Sequence, residues 1–276
     1  MVSSKLGEIG KINFRLAFFI FVMLFFTNCN SSLSSDNTVV TKKIIVKNIS
    51  DIYKITDNEV QPIIYEIENF SLKNYSSKEK KEQFINLLLP NILIVESEFE
   101  NIKIDIFNLK IKPNKNLTTK EKEKINNYLM KFGASNLDEL YKKFVVPNIS
   151  IVLAQAALES GWGSSRFFSK ANNIFGIWSF SKKDNRIEAL QTRNGKKIYL
   201  KKYSNLKESI EDYYTKIIKL KYYDNFRKSL KNGDRSTSSV NYLNSYSEIG
   251  SEYIVLLKNI IKYNNLDKFN NFKLKS

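Results

Sequence analysis

Residues 147–163 read Pro147-Asn148-Ile149-Ser150-Ile151-Val152-Leu153-Ala154-Gln155-Ala156-Ala157-Leu158-Glu159-Ser160-Gly161-Trp162-Gly163, and nine residues on comes Asn172-Asn173-Ile174-Phe175-Gly176-Ile177-Trp178-Ser179-Phe180. The first stretch predicts a helix. Pro147 suits a helix entrance, and Asn148 or Ser150 can cap its free amides. Ile151, Ala154 and Leu158 recur at helical spacing, with alanines filling the rest. A helix apolar nearly all round is expected to be buried. Its one carboxylate, Glu159, stands at the far end, and Gly161 is a natural stop. A carboxyl flanked there by Leu158 and Trp162 is partly desolvated, which raises its pKa. A glutamic acid kept protonated near neutral pH is what a glycosidase uses to protonate a leaving sugar oxygen. The pattern alone equally fits an exposed helix-end residue beside a glycine turn.

Other chemistries are removed by composition. The 276 residues contain no histidine, so a Ser-His-Asp or Cys-His hydrolase and any His-ligated metal site are excluded. The single cysteine, Cys29, cannot form an intramolecular disulfide. No phosphate-cradling glycine loop is present. Carboxylate-driven glycoside cleavage needs none of these groups.

The motif Ala154-Gln155-Ala156-Ala157-Leu158-Glu159-Ser160-Gly161-Trp162-Gly163 followed by Asn172-Asn173-Ile174-Phe175-Gly176 resembles the signature of the glucosaminidase family within the lysozyme-like superfamily. The resemblance is to its Bax-type branch and covers roughly the last two hundred residues in order. Lys81-Glu82-Gln83-Phe84-Ile85-Asn86-Leu87-Leu88-Leu89-Pro90 is similar to that branch's opening helix. Tyr203 to Tyr213 resembles the helix after its hairpin, and Tyr246 to Tyr253, running into Ile260-Ile261, its closing segment. The resemblance implies a mainly α, lysozyme-like α+β domain with a small β-hairpin lobe. It implies a peptidoglycan hydrolase cutting the glycan strand as an endo-β-N-acetylglucosaminidase, with Glu159 as general acid. Tyr246 corresponds to a tyrosine kept in the active-site groove. Asn173, Phe175 and Gly176 would shape the groove wall, and Trp178 would stack on sugar, whereas Trp162 packs behind Glu159. Tyr203, Asp212 and Tyr213 read as scaffold.

The second catalytic group stays open. Relatives often carry a glutamate on the hairpin, and this chain offers Glu188; Asp184 is a weaker candidate, and Gln191 stands where a relative's glutamate is common. Without such a base, the substrate N-acetyl group could assist, or a lytic transglycosylase route could close an anhydro sugar. A protein that kept the fold and lost catalysis would be a wall-binding module. Neither metal nor cofactor is implied, and a monomer is expected.

The first residues read as an export signal. Lys5, Lys11 and Arg15 precede the apolar run Leu16 to Phe26, which at eleven residues falls short of the ~17–25 needed to span a bilayer. Phe26-Thr27-Asn28 before Cys29 resembles a relaxed lipobox, so residues 1–28 are expected to be a lipoprotein signal peptide and Cys29 the lipidated N-terminus. The expected location is the cell envelope, anchored to a membrane. Residues 29–76 would be a polar tether and a segment of uncertain role, with strand-like alternation around Ile44-Ile45-Val46 and Ile63-Ile64-Tyr65, and residues 77–276 the catalytic domain. With 44 basic against 28 acidic residues the chain carries +16, which favours an anionic partner such as the carboxylates of peptidoglycan stems. The lysines are scattered and no nucleic-acid module is present, so nucleic acid is not expected.

The remaining elements follow from local pattern. A helix starts near Ser77 with a core face interrupted at Pro90. Another begins at the Thr cap and acid of Thr118 to Glu121, and a short one spans Leu137 to Phe144. Asn194-Gly195 predicts a hairpin turn between Ala189-Leu190 and Ile198-Tyr199-Leu200. Helices from Leu206 to about Tyr223 and from Ser251 to Tyr263 complete the chain.

Overall fold

The computed structural model describes residues 39–276 apart from 194, 235, 245, 247–249 and 276. The leader, Cys29, Asn194 of the hairpin turn and Glu248 of the closing segment lie outside the described residues. Residues 39–276 form one unit. They begin with strands β1 (Lys42–Val46), β2 (Glu59–Val60) and β3 (Ile63–Ile67). β1 and β3 pair in parallel, Lys42 opposite Ile63 and Val46 opposite Ile67. β2 pairs in parallel with the last strand of the chain, Lys273–Leu274. The strand alternation around residues 44 and 63 therefore belongs to a sheet that packs. Val46, Tyr65, Ile67 and Leu72 are buried in the same core as the helices that follow. The packed body thus starts at Val39, not at residue 77.

Helix α1 (Ser77–Ile111) is the spine. Ser76 caps it by accepting the Glu79 amide at 3.3 Å. The interruption expected at Pro90 does not occur: the helix runs through it. Proline cannot donate to the carbonyl four residues back, at a cost of about 3 kcal/mol. Leu87, Leu88, Leu89, Ile92, Ile94 and Val95 around it are all buried, and burial of such side chains at about 1.5–3 kcal/mol each outweighs that loss.

Helices α2 (Thr119–Phe132) and α3 (Leu137–Lys143) follow, the first opening on the expected capping box between Thr118 and Glu121. α4 (Ile149–Ser160) is the buried central helix. Its cap differs from the sequence reading. Asn148 makes no side-chain cap bond, and the Ser150 hydroxyl is engaged with Ser236 Oγ at 2.7 Å. The free Ser150 amide instead donates to Asn270 Oδ1 at 2.9 Å, a cap supplied from 120 residues away.

α4 ends in three successive left-handed residues, Gly161 (φ 58°), Trp162 (φ 56°) and Gly163 (φ 75°). A Cβ at Gly163 would stand 3.0 Å from a Leu72 methyl and 3.3 Å from the Phe84 and Phe168 rings, so these side chains would have to give way. The turn delivers the chain to α5 (Arg166–Ala171), then the loop 172–185 and the hairpin β4 (Arg186–Arg193) and β5 (Lys196–Lys201). The hairpin is antiparallel, with a register irregularity between Glu188 and Thr192. α6 (Leu206–Lys219), α7 (Asp224–Lys231), a short helical turn at Ser236–Ser239 and α8 (Ser251–Tyr263) close the molecule. The architecture is mainly helical with a small β-hairpin lobe, as expected. No helix among the described residues is long and apolar enough to cross a membrane.

Candidate active site

Gln155 and Glu159 are one helical turn apart on α4, so their side chains share a face. Gln155 is fully buried and Glu159 half-buried. α8 lies against this helix and brings Tyr253 onto the pair. The Tyr253 hydroxyl donates to Glu159 Oε1 at 2.9 Å, while Gln155 Nε2 donates to Tyr253 Oη at 2.9 Å. Gln155 Oε1 in turn accepts the hydroxyl of Tyr213 on α6. Gln155 thus presents its carbonyl to Tyr213 and its amide NH2 to Tyr253, and Tyr253 aims its own hydrogen at Glu159.

Two opposing effects act on the Glu159 carboxyl. Burial disfavours the anion and pushes the pKa up; the Tyr253 hydrogen bond favours the anion and pulls it partly back. Burial wins, so the carboxyl titrates above the ordinary glutamate value of 4.5. With Oε1 engaged by an incoming hydrogen bond, the acidic proton belongs on Oε2.

The sequence reading named Tyr246 rather than Tyr253. The structure places Tyr246 one layer back: its ring stacks on Tyr253 at 5.4 Å and 22°, and its hydroxyl reaches the Phe175 carbonyl at 3.5 Å. The tyrosine touching Glu159 is Tyr253, at the end of the closing segment. The regular spacing of α8 would have marked it as an ordinary core residue.

The loop after α5 gives a mixed outcome. Asn173 is buried, and its amide is spent on the backbone: Nδ2 donates to the carbonyls of Ile177 and Lys201, and Oδ1 accepts the Ile177 amide. It holds the loop in shape and has no donor left for sugar. Phe175 is buried too, stacked on Tyr213 at 4.1 Å and 10°. Gly176 (φ 63°) borders open space. Trp178 is 39% exposed; its backbone bridges to Leu200 of β5, and Arg193 lies over its ring at 5.6 Å. Trp162 packs edge-on against Phe84 at 5.5 Å, behind the turn that follows Glu159.

Glu188 sits on β4. Its carboxylate pairs with Lys197 at 3.0 Å and accepts the Tyr199 hydroxyl at 3.2 Å. Lys197 above all holds its pKa low, so it stays ionised at neutral pH. These contacts tie it to β5 and not to the Glu159 group. Asp184 accepts the Ser179 hydroxyl at 2.8 Å. Asp212 holds Tyr203 and Lys201, at 2.7 and 2.8 Å, in a scaffold role. Among the described residues, no group of three or more His, Cys, Asp or Glu could hold a metal ion.

The structure thus holds one carboxyl, Glu159, half-buried at the end of the central helix with its pKa raised by burial. The model of the glucosaminidase family, described as mannosyl-glycoprotein endo-beta-N-acetylglucosaminidase, matches residues 134–266. Exo-glucosaminidase LytG of Bacillus subtilis (strain 168) is 40% identical over 80 residues, which are 27% of this chain and 28% of that protein. The chain thus spans less than a third of that relative's length. Among solved structures, the catalytic domain of the autolysin Auto from Listeria monocytogenes is 24% identical with a TM-score of 0.38, over 56% of this chain and 89% of that one. The glycoside hydrolase domain of Salmonella typhimurium FlgJ is 20% identical with a TM-score of 0.35, over 51% and 87%.

Proposed function

We propose that this chain hydrolyses the glycan strand of peptidoglycan as an endo-β-N-acetylglucosaminidase, with Glu159 as general acid. The observation that carries the reading is the half-buried Glu159 carboxyl, raised in pKa, with Oε1 engaged by Tyr253. In the first step the Oε2 proton passes to the glycosidic oxygen as its bond to the N-acetylglucosamine anomeric carbon breaks. The sugar gains oxocarbenium character, and the leaving N-acetylmuramic acid departs with its 4-hydroxyl restored. Glu159 becomes an anion at that moment, and the hydrogen bond from Tyr253, fixed in direction by Gln155, strengthens with the charge. Water adds to the anomeric carbon and gives up a proton to a base. Glu188, ionised on the hairpin, is the protein group offered for that role; the substrate N-acetyl oxygen is the other.

The same reading places the protein in the cell envelope, with residues 1–28 removed on export and Cys29 carrying a lipid anchor. The short apolar run before the only cysteine supports this.

Incubation with purified peptidoglycan, followed by mass spectrometry of the new chain ends, tests the bond. Reducing N-acetylglucosamine ends, absent with Glu159→Gln, are expected. Anhydro ends would replace hydrolysis by transglycosylation. Binding to the wall without cleavage would replace the enzyme by a binding module.

A further inference from the structure

The hairpin lobe carries charge that its own contacts leave unmatched. From Lys182 to Lys202 the sequence holds eight Lys or Arg and two acids, Asp184 and Glu188. Asp184 is taken by the Ser179 hydroxyl and Glu188 by Lys197. Lys201 turns inward to Asp212. Arg186 and Arg193 lie over aromatic faces, of Tyr199 at 3.9 Å and of Trp178 at 5.6 Å. Lys182, Lys183, Lys196 and Lys202 are exposed, with no ion pair among the described residues. The lobe also presents Phe180, 88% exposed and 6.0 Å from the Trp178 ring.

Like charges gathered on so small a lobe repel one another, and an anionic partner would offset those of Lys182, Lys183, Lys196 and Lys202. Through the preceding loop the lobe is joined to the packing behind the acid. Segment 177–180 runs along β5, with Ser179 N–H donating to the Tyr199 carbonyl and Lys201 N–H to that of Ile177. Two residues earlier, the Phe175 carbonyl meets Tyr246, which stacks on the tyrosine holding Glu159.

We propose that this lobe docks the acidic peptide stems carried by the glycan, its lysines pairing with stem carboxylates while Trp178 and Phe180 accept an apolar sugar face. The enzyme then discriminates for peptide-bearing strands against strands stripped of their stems. The proposal rests on the glycan strand being the substrate. Paired aromatics and cations favour a polymer carrying both sugar faces and carboxylates over a purely anionic surface.

The test is co-sedimentation of the full chain carrying Glu159→Gln, which reads binding without cleavage. Peptide-bearing walls are compared with the same walls stripped of stems by an amidase, and with phosphatidylglycerol vesicles. A Lys182→Ala, Lys183→Ala, Lys196→Ala variant with the same N-terminus is run in parallel. Exposed ion pairs of ordinary strength, three together, give roughly a tenfold effect. About tenfold tighter binding to peptide-bearing walls, lost in the triple variant and weakened as salt rises, supports the proposal. Equal binding to both walls, or a triple variant that keeps the preference, overturns it. So does a variant that loses only vesicle binding, which would assign the lobe to the membrane. Release of glycan ends by the chain with Glu159 intact is measured separately, so failure of the glucosaminidase reading is seen apart from failure of the lobe.

Discussion

At the scale of residues, the account rests on an acid whose protonation is set by two opposing neighbours. Replacing Tyr253 by Phe removes the hydrogen bond that favours the Glu159 anion, so the carboxyl should titrate higher still. The alkaline limb of kcat/KM should move to higher pH, as a pH-rate profile would read. The same change strands the buried Gln155 amide and should cost about 1–3 kcal/mol of stability. Glu159→Gln should act oppositely on stability. A carboxyl whose folded pKa lies above its unfolded value near 4.5 favours folding below that value, and this contribution is lost as pH rises through the window between the two. Glutamine escapes the loss and can still accept from Tyr253. The variant should therefore melt higher than the parent at neutral pH, and the gap should close below about pH 4.5; a melting series across pH checks the sign. Glu159 was legible in the sequence because it ends a single apolar helical motif; Gln155, one turn before it, carried no sign of its role. Nor were their partners legible. Tyr213 and Tyr253 stand 58 and 98 residues from Gln155, and local spacing cannot say which of several tyrosines a distant packing will select.

At the scale of elements, the turn Gly161-Trp162-Gly163 governs where α4 ends and how the acid is aimed. The stop at Gly161 was readable, since a glycine after an apolar helix is the usual left-handed cap. That Trp162 would share the left-handed conformation was not, because aromatic residues rarely adopt it. Gly163→Ala should strain the backbone and collide with Leu72, lowering stability by about 1–3 kcal/mol, measurable as a fall in the urea midpoint. Pro90 shows the converse error. Proline is read as a breaker because the local rule counts one missing hydrogen bond, while the burial that holds α1 across it comes from the tertiary fold. The cap of α4 by Asn270 escaped notice for the same reason.

At the scale of the whole molecule, the family segment 134–266 is less than the packed unit. Val46, Ile52, Val60, Ile63, Tyr65, Ile67, Phe70 and Leu72 all lie in the shared core. At about 1.5–3 kcal/mol each, their burial is as large as the roughly 5–15 kcal/mol that separates a folded domain from its unfolded chain. A chain starting at Ser77 should therefore fail to fold cooperatively, whereas one starting at Val39 should melt as a unit; circular dichroism distinguishes them. The sequence showed the strands through their alternation but not their attachment, because a parallel pair with such short strands gives no sign of which helices it meets.

The central claim is that Glu159 supplies the proton, and the most direct measurement is the rate at which new reducing ends appear from peptidoglycan with the parent and with Glu159→Gln. Loss of a general acid predicts a fall of about 10²–10⁴-fold in a variant that melts no lower than the parent at neutral pH. A folded Glu159→Gln variant that released ends within a few-fold of the parent rate would contradict the account.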